Sequence, residues 1–154
     1  MLLSTWSTCF VIWVPDRVAS RGRSGARRLL LQALYQAQLA GHDSDELAQQ
    51  FSVQTEFKGI DSEYFLKLLT EILASREALD NDIYLFGDIA TEQLDPVEHA
   101  VLWIALTELK QHPDVPPKVV INEAIELAKT FGAEGGHKYV NGLLDKAAAR
   151  LSSL

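Results

Sequence analysis

The stretch at residues 94–113, LDPVEHAVLWIALTELKQHP, carries clear signals for both ends of a helix. Asp95 provides a side-chain oxygen of the kind that caps a helix, and Pro96 takes the first helical position, where an N–H would have no partner. Glu98 adds a negative charge in the first turn, which the helix dipole favours. Because Pro113 cannot continue a helix, the pattern predicts one helix that begins at Pro96 and ends just before Pro113.

The segments on either side repeat these signals. Downstream, Pro117 marks a helix start and Gly132 a helix stop. Upstream, Asp61 is positioned to cap a helix whose apolar stripe runs from Tyr64 to Leu73. Beyond the first 24 residues of the chain, apolar residues recur at intervals of three and four, and no stretch alternates as a strand does. The sequence therefore predicts an all-α bundle of about seven helices. The remaining helices are predicted at residues 25–40, 44–56, 80–86 and 136–151.

Charge is distributed unevenly along the 154 residues, whose formal net charge is −7. Residues 1–28 hold five arginines and one aspartate, a net charge of +4, which leaves −11 for the remainder. A basic arm on an acidic chain is typical of nucleic-acid binding, although a solvated arm that only carries charge has the same pattern. The acidic remainder suits a basic protein partner, because complementary charge speeds association.

The first fourteen residues, MLLSTWSTCFVIWV, match neither a signal peptide nor a membrane span. No positive charge precedes the apolar run, and the run is too short to cross a bilayer. We interpret residues 1–14 as a disordered tail or a misassigned start. The expected division is an extension with a flexible basic arm at residues 1–22 and one helical domain at residues 23–154. Cys9 is the single cysteine and allows no internal disulfide, so we expect a cytoplasmic protein without membrane association.

The sequence lacks the common signatures of catalysis. It has no glycine-rich phosphate loop, HExxH motif, CxxC pair or GxSxG turn. Its four histidines, His42, His99, His112 and His137, lie in different segments, and none has a neighbour at metal-ligand spacing. We therefore predict a protein that is not an enzyme, with no catalytic residue, no cofactor and no metal site.

Two tyrosines are expected at the edges of apolar helix faces. On a helical wheel, Tyr35 falls within about 20° of Arg28, and Gln32 lies on the same side. Tyr139 lies about 100° from the apolar face of the last helix, on the side of Lys146. Arginine neutralises phosphate and an unpaired base can stack on an aromatic ring, so both strips suit single-stranded nucleic acid. For each tyrosine, an ordinary amphipathic position at the core edge is the alternative.

Two longer segments, QALYQAQL at residues 32–39 and DVPPKVVINEAIELAKTFGAEGGHKYVNGLLDK at residues 114–146, resemble the NusB family of transcription antitermination factors. The resemblance runs from about Arg27 to Leu151. It implies an all-helical fold of two small helical bundles without catalytic activity. It also implies binding to the boxA element of ribosomal RNA transcripts together with NusE, a small-subunit ribosomal protein, in an antitermination complex on RNA polymerase. A monomer and a homodimer are both compatible with it.

The resemblance also implies roles for individual residues. Glu98 falls in the region linked to binding of the partner NusE and of RNA. The chain departs from the family pattern where glycine and serine interrupt the arginine run, and where Arg28 replaces a common acid. It also departs at Gly135 and Gly136, so contacts from that loop would come from its backbone. The residues that the helical wheel and the resemblance together assign to RNA binding are Arg21, Arg23, Arg27, Arg28, Gln32, Tyr35, Lys138 and Tyr139.

Two other functions fit the same residues. The helical module also occurs as the N-terminal part of certain ribosomal RNA methyltransferases, where it would position an enzyme that binds S-adenosylmethionine. This chain has no glycine-rich cofactor loop, which favours a free-standing factor. A helical adaptor that binds only proteins would make the arginines incidental. RNA affinity that falls steeply with salt would separate the RNA-binding hypothesis from the adaptor, because phosphate contacts release counterions.

Overall fold

The computed structural model describes residues 22–152, which form seven α-helices joined by short connections. Within this range there is no strand, and the one β-type contact is an isolated bridge between Gly22 and Ile60. The prediction of an all-α protein with about seven helices is confirmed. In chain order the α-helices are α1 (Gly22–Ala40), α2 (Ser44–Ser52), α3 (Ser62–Ala74), α4 (Arg76–Gly87), α5 (Pro96–Gln111), α6 (Pro117–Phe131) and α7 (Gly136–Ser152), and two short 3₁₀-helices cover Thr55–Gly59 and Thr91–Gln93.

Helix α5 lies at the centre of the fold because it is apolar on almost every side. Every residue from Val97 to Glu108 is buried. A helix that is hydrophobic all round must be enclosed by its neighbours. Helix α5 accordingly packs against α1, α3, α4, α6 and α7, and it connects the two halves of the fold.

Two groups of helices share α5. In the first, α1 packs against α2 and α3, and the ring centroids of Phe51 and Phe65 lie 6.0 Å apart in its core. In the second, α7 packs against α4 and α6, and its inner face buries Val140, Leu143 and Leu144. Each helix thus buries one apolar face against the next, and the pair of small bundles expected from the resemblance is the arrangement observed.

The predicted helix starts at Asp61 and Asp95 are confirmed by capping hydrogen bonds. Asp95 Oδ1 accepts from the N–H of Val97 at 2.7 Å, and Asp61 Oδ1 accepts from the N–H of Tyr64 at 3.0 Å. Each bond satisfies a backbone N–H that has no partner inside its own helix. Gly132 follows the last residue of α6, as the sequence predicts.

The predicted start of the first helix is wrong. Helix α1 begins at Gly22 instead of about Gly25. The Gly22 carbonyl accepts a hydrogen bond from the N–H of Asp61 at 3.0 Å. This contact with the start of α3 fixes the first turn of α1, and a local sequence pattern does not report it.

Two further boundaries also differ from the prediction. Helix α2 ends at Ser52, and the chain then tightens into a 3₁₀-helix. This turn brings the ring of Phe57 edge-on to Phe65, with centroids 5.6 Å apart, so core packing ends the helix early. Helix α4 begins at Arg76, ahead of the predicted residue 80, directly after Ser75 closes α3.

The N-terminal extension expected at residues 1–22 lies outside the described residues, apart from Gly22. Arg21 lies outside them too, so its assignment to RNA binding and the division near residue 22 stay predictions. Among the helices of residues 22–152, none combines the length and the apolar composition that a membrane crossing requires.

Candidate nucleic-acid interface

Helix α1 carries three of the predicted RNA-binding side chains along one strip. Arg28, Gln32 and Tyr35 are all partly buried, and Tyr35 packs against the core. Phe131 is the last residue of α6. The guanidinium carbon of Arg28 lies 5.0 Å from the centroid of its ring. The cation therefore stacks on an aromatic ring at the entrance to the α6–α7 connection, a contact that holds its charge in a defined place.

The start of α7 contacts the start of α5, and the start of α5 also contacts α1. Gln38, one turn after the strip on α1, donates its side-chain N–H to the carbonyl of Pro96 at 2.9 Å. Two residues later on α5, the carboxylate of Glu98 packs directly against Gly136, the first residue of α7. Helix α5 thus contacts both α1 and the first residue of α7 here, and Lys138 lies two residues further along α7. We call Arg28, Gln32, Tyr35, Lys138 and Tyr139 the candidate RNA face.

Tyr139 is anchored at one end of the candidate RNA face. Its ring is partly buried, and its hydroxyl donates to the carbonyl of Gly87 at 3.1 Å. A side chain at Gly87 would overlap that hydroxyl, so the glycine makes room for the tyrosine. Burial, and then the nearby charge of Asp88, raise the pKa of Tyr139 above its ordinary value. The phenol is therefore neutral near pH 7, as an ordinary tyrosine also is.

Arg27 lies inside the protein, away from the candidate RNA face. Its Nη2 and Nε atoms lie 2.7 and 2.8 Å from Glu108 Oε1, and the Tyr64 hydroxyl donates to the same carboxylate oxygen. Burial would lower the pKa of Arg27, but the hydrogen bond and charge of Glu108 raise it above its ordinary value. The sequence groups Arg27 with the RNA-contacting arginines, whereas the structure shows its charge already neutralised in the core.

Arg23 is exposed but held by two acids. Its guanidinium carbon lies 4.3 Å from the centroid of the Tyr64 ring, and its Nη1 lies 3.3 Å from Asp114 Oδ2. Its Nε lies 3.8 Å from Asp61 Oδ2. The hydrogen bond from Arg23 lowers the pKa of Asp114. Arg23 and Arg28 are about 140° apart around α1, so Arg23 lies beside the acids and not on the strip with Arg28.

Glu98 lies at the junction of α1, α5 and α7, and only 7% of it is exposed. Among the described residues, nothing hydrogen-bonds to its Oε1 atom. Burial, and then repulsion from Asp95, raise the pKa of Glu98 above its ordinary value. A buried acceptor without a partner is costly, so a bound group that donates a hydrogen bond here would be favoured.

Sequence reasoning missed Glu108, Glu123 and Phe131. Glu108 falls seven residues after Val101, so both lie on the same apolar side of α5. A charged residue at such a position indicates that another charged side chain is buried beside it. Glu123 Oε1 accepts a hydrogen bond from the Ser24 hydroxyl at 2.7 Å, and this bond helps to fix the first turn of α1. Phe131 has no comparable signal, because only the fold brings it to Arg28.

The chain is similar in sequence to proteins of one family. A family model described as the NusB family matches residues 24–149. The transcription antitermination protein NusB of Actinobacillus succinogenes is 49% identical over 129 residues, which cover 84% of this chain and 91% of that protein. The NusB of Pseudomonas fluorescens is 48% identical over 137 residues, covering 89% and 81%. The NusB of Shewanella amazonensis is 47% identical over 128 residues, covering 83% and 96%.

The fold is similar to a solved structure of T. maritima NusB. The two chains superpose with a TM-score of 0.65 at 27% sequence identity, over 86% of this chain and 97% of that chain. The similarity in fold and the similarity in sequence thus point to the same family.

Proposed function

The chain belongs to the NusB family of transcription antitermination proteins, and from this premise we propose that it binds the boxA element of ribosomal RNA transcripts together with NusE. In this role it helps RNA polymerase to avoid premature termination. The family is not enzymatic, and the proposed role requires binding alone. The RNA is single-stranded, which leaves its bases free to stack on protein rings.

The observation that carries the proposal is the position of Arg28 on α1, whose guanidinium lies over the ring of Phe131 at the end of α6, five residues before α7 begins. In the proposed complex the cations Arg28 and Lys138 and the rings of Tyr35 and Tyr139 would contact one RNA strand on an otherwise acidic protein. The cations would neutralise phosphates, and each ring would stack on a base. Gln32 would hydrogen-bond to the sugar or to a base edge. The acidic remainder would repel RNA elsewhere and so confine it to this face.

The proposal treats the three N-terminal arginines differently. Arg21 and Arg23 would contact phosphates of RNA that continues beyond the strip, around the start of α1, and Arg23 would exchange its acid partners Asp61 and Asp114 for the RNA backbone. Arg27 is left out of direct RNA contact, because its guanidinium is bound to Glu108 in the core. Its proposed part is to hold α1 in place, so that Arg28 reaches the ring at the end of α6.

We propose Glu98 as a contact for the protein partner. Its unpaired Oε1 lies at the junction that borders the candidate RNA face. A basic partner that covers this junction would lie close to the Glu98 carboxylate and offset its charge. Partner and RNA would then share one continuous surface.

A binding titration tests the proposal. Single-stranded RNA with a boxA sequence is titrated against the wild type and against Tyr35→Leu, with and without NusE. The leucine keeps apolar packing but removes the ring, so we expect affinity to fall by about 1–3 kcal/mol. Tyr35→Phe should restore it. Tyr84→Ala, which removes a tyrosine that is 61% exposed on α4, serves as the matched control in the titration without NusE and should bind RNA there as the wild type does.

Two results would contradict the proposal. The first is equal RNA affinity for Tyr35→Leu and the wild type. The second is a loss of affinity that follows a parallel loss of thermal stability, which would make Tyr35 a core residue only. Wild-type affinity that does not change with salt would show that the RNA makes no phosphate contacts with the protein.

A further inference from the structure

The outer side of α4 is an unpartnered helix face. Tyr84 and Leu85, two large apolar residues, are each 61% exposed there. Glu77, Asn81 and Tyr84 follow one another at spacings of four and three, so they form a single stripe along the helix. Beside this stripe, α4 and the 3₁₀-helix Thr91–Gln93 enclose an open groove of about 510 Å³. A protein segment could therefore lie along the stripe with a side chain in the groove.

The groove is acidic, and the arginine that lines it already contacts an aromatic ring. Glu77, Asp80 and Glu92 line it, whereas Arg76 is the one cation among its described lining residues. The guanidinium carbon of Arg76 lies 5.8 Å from the centroid of the Trp103 ring on α5. The lining thus keeps a net negative charge beside the exposed ring of Tyr84.

Helix α5 fixes the orientation of Asp80. Its Oδ1 atom accepts the indole N–H of Trp103 at 2.8 Å and lies 2.6 Å from Nε2 of His99. A carboxylate held in one orientation loses less conformational freedom when it binds a cation, so the groove is prepared for a positive side chain.

We infer that this α4 face, defined by Glu77, Asp80, Tyr84, Leu85 and Glu92, docks a cationic segment of a protein partner. An arginine or lysine of the segment enters the groove, where carboxylates pair with it and the tyrosine ring stacks on it. A neighbouring apolar residue of the segment covers Leu85. This inference deepens the proposed function and rests on it for the existence of a protein partner. Nucleic acid is the wrong occupant, because three carboxylates repel phosphate.

The α4 face is continuous with the candidate RNA face. The last residue of α4, Gly87, accepts the hydrogen bond from the Tyr139 hydroxyl. A partner on α4 would thus lie next to RNA stacked on Tyr139 without covering it. We therefore expect the partner segment and RNA to bind at the same time.

The test uses a fluorescent peptide of three Arg-Leu-Gly repeats as the probe, with the Glu-Leu-Gly peptide as its charge-reversed control. The double variant Glu77→Gln/Glu92→Gln and the single variant Tyr84→Ala should each weaken binding of the basic peptide by about tenfold. The control variant Glu56→Gln/Glu126→Gln has the same charge change at two exposed positions outside the groove. It should weaken binding by less than about twofold.

Three outcomes overturn the inference. If both double variants weaken binding of the basic peptide equally, the peptide binds by general charge attraction and not at the α4 face. RNA affinity that falls with Tyr84→Ala would make the face a nucleic-acid surface. A wild-type dimer that Glu77→Gln/Glu92→Gln dissociates in sedimentation would make a second copy of this chain the occupant. Failure of the proposed function is distinguishable, because wild-type protein would then fail to bind boxA RNA while the basic peptide still binds at α4.

Discussion

Arg27 Nη2 lies 2.7 Å from Glu108 Oε1, and the two side chains are only 4% and 1% exposed. The pair joins α1 to the central helix α5, and the Tyr64 hydroxyl joins the same carboxylate to α3. Arg28, the next residue, lies over Phe131 at the end of α6. Two adjacent arginines therefore have different places, one in the core between the helices and one on the candidate RNA face.

Replacing Arg27 by leucine should destabilise the fold strongly. The change strands the carboxylate of Glu108 in a buried site, which costs about 3–5 kcal/mol for a broken buried pair. Urea unfolding followed by circular dichroism measures the loss. The double variant Arg27→Leu/Glu108→Leu leaves no unpaired charge, so it should be more stable than the single variant. A single-variant loss below about 1 kcal/mol would show that the pair is solvated and is not a core element.

Replacing Arg28 by leucine should instead change RNA binding with little effect on stability. If its guanidinium contacts one phosphate, the slope of log affinity against log salt should become shallower by about one unit. Anisotropy titrations of boxA RNA over a series of salt concentrations give this slope. Lys118→Leu removes an exposed cation on α6 and should leave the slope as in the wild type. An unchanged slope for Arg28→Leu would show that Arg28 does not contact an RNA phosphate.

Replacing Gly87 by alanine should disturb the ring of Tyr139. The added methyl group would overlap the tyrosine hydroxyl and press on Leu143, so the ring must shift. We expect weaker RNA binding and a stability loss of about 1–3 kcal/mol, as for other overpacked sites. Tyr139→Phe removes the overlapping oxygen, so the double variant should recover part of the stability. A double variant that is no better than Gly87→Ala would place the clash at Leu143 instead.

The sequence predicts most of the helices because their signals are local. The caps at Asp61 and Asp95 and the stop at Gly132 depend on a few neighbouring residues, and all three occur as predicted. The place of Arg27 is different. Its partner Glu108 is 81 residues away, and on a helical wheel it is simply the neighbour of Arg28. Burial of a charge depends on which helices pack together, and the local pattern does not contain that information.

The candidate RNA face was predictable in part for the same reason. The strip of Arg28, Gln32 and Tyr35 follows from helix geometry alone. The contact of Arg28 with Phe131 and that of Glu98 with Gly136 require the fold, since each joins residues on different helices. The α4 face lies on a helix whose predicted start was four residues late, so Glu77 was not recognised as part of its stripe.

Glu98 should make stability depend on pH in a defined direction. Its pKa in the folded protein is raised above the ordinary value of 4.5 by burial and by Asp95. The folded state therefore binds this proton more tightly than the unfolded chain. The resulting stability is fully present below pH about 4.5 and is lost as the pH rises through the raised pKa. Glu98→Gln cannot ionise, so its free energy of unfolding should lack this loss. Urea unfolding of both proteins between about pH 4 and pH 7.5 should show the variant gaining on the wild type as the pH rises. The opposite trend would mean that the start of α7 stabilises the Glu98 carboxylate more than burial penalises it, and the unpaired acceptor proposed for the partner would then already be satisfied.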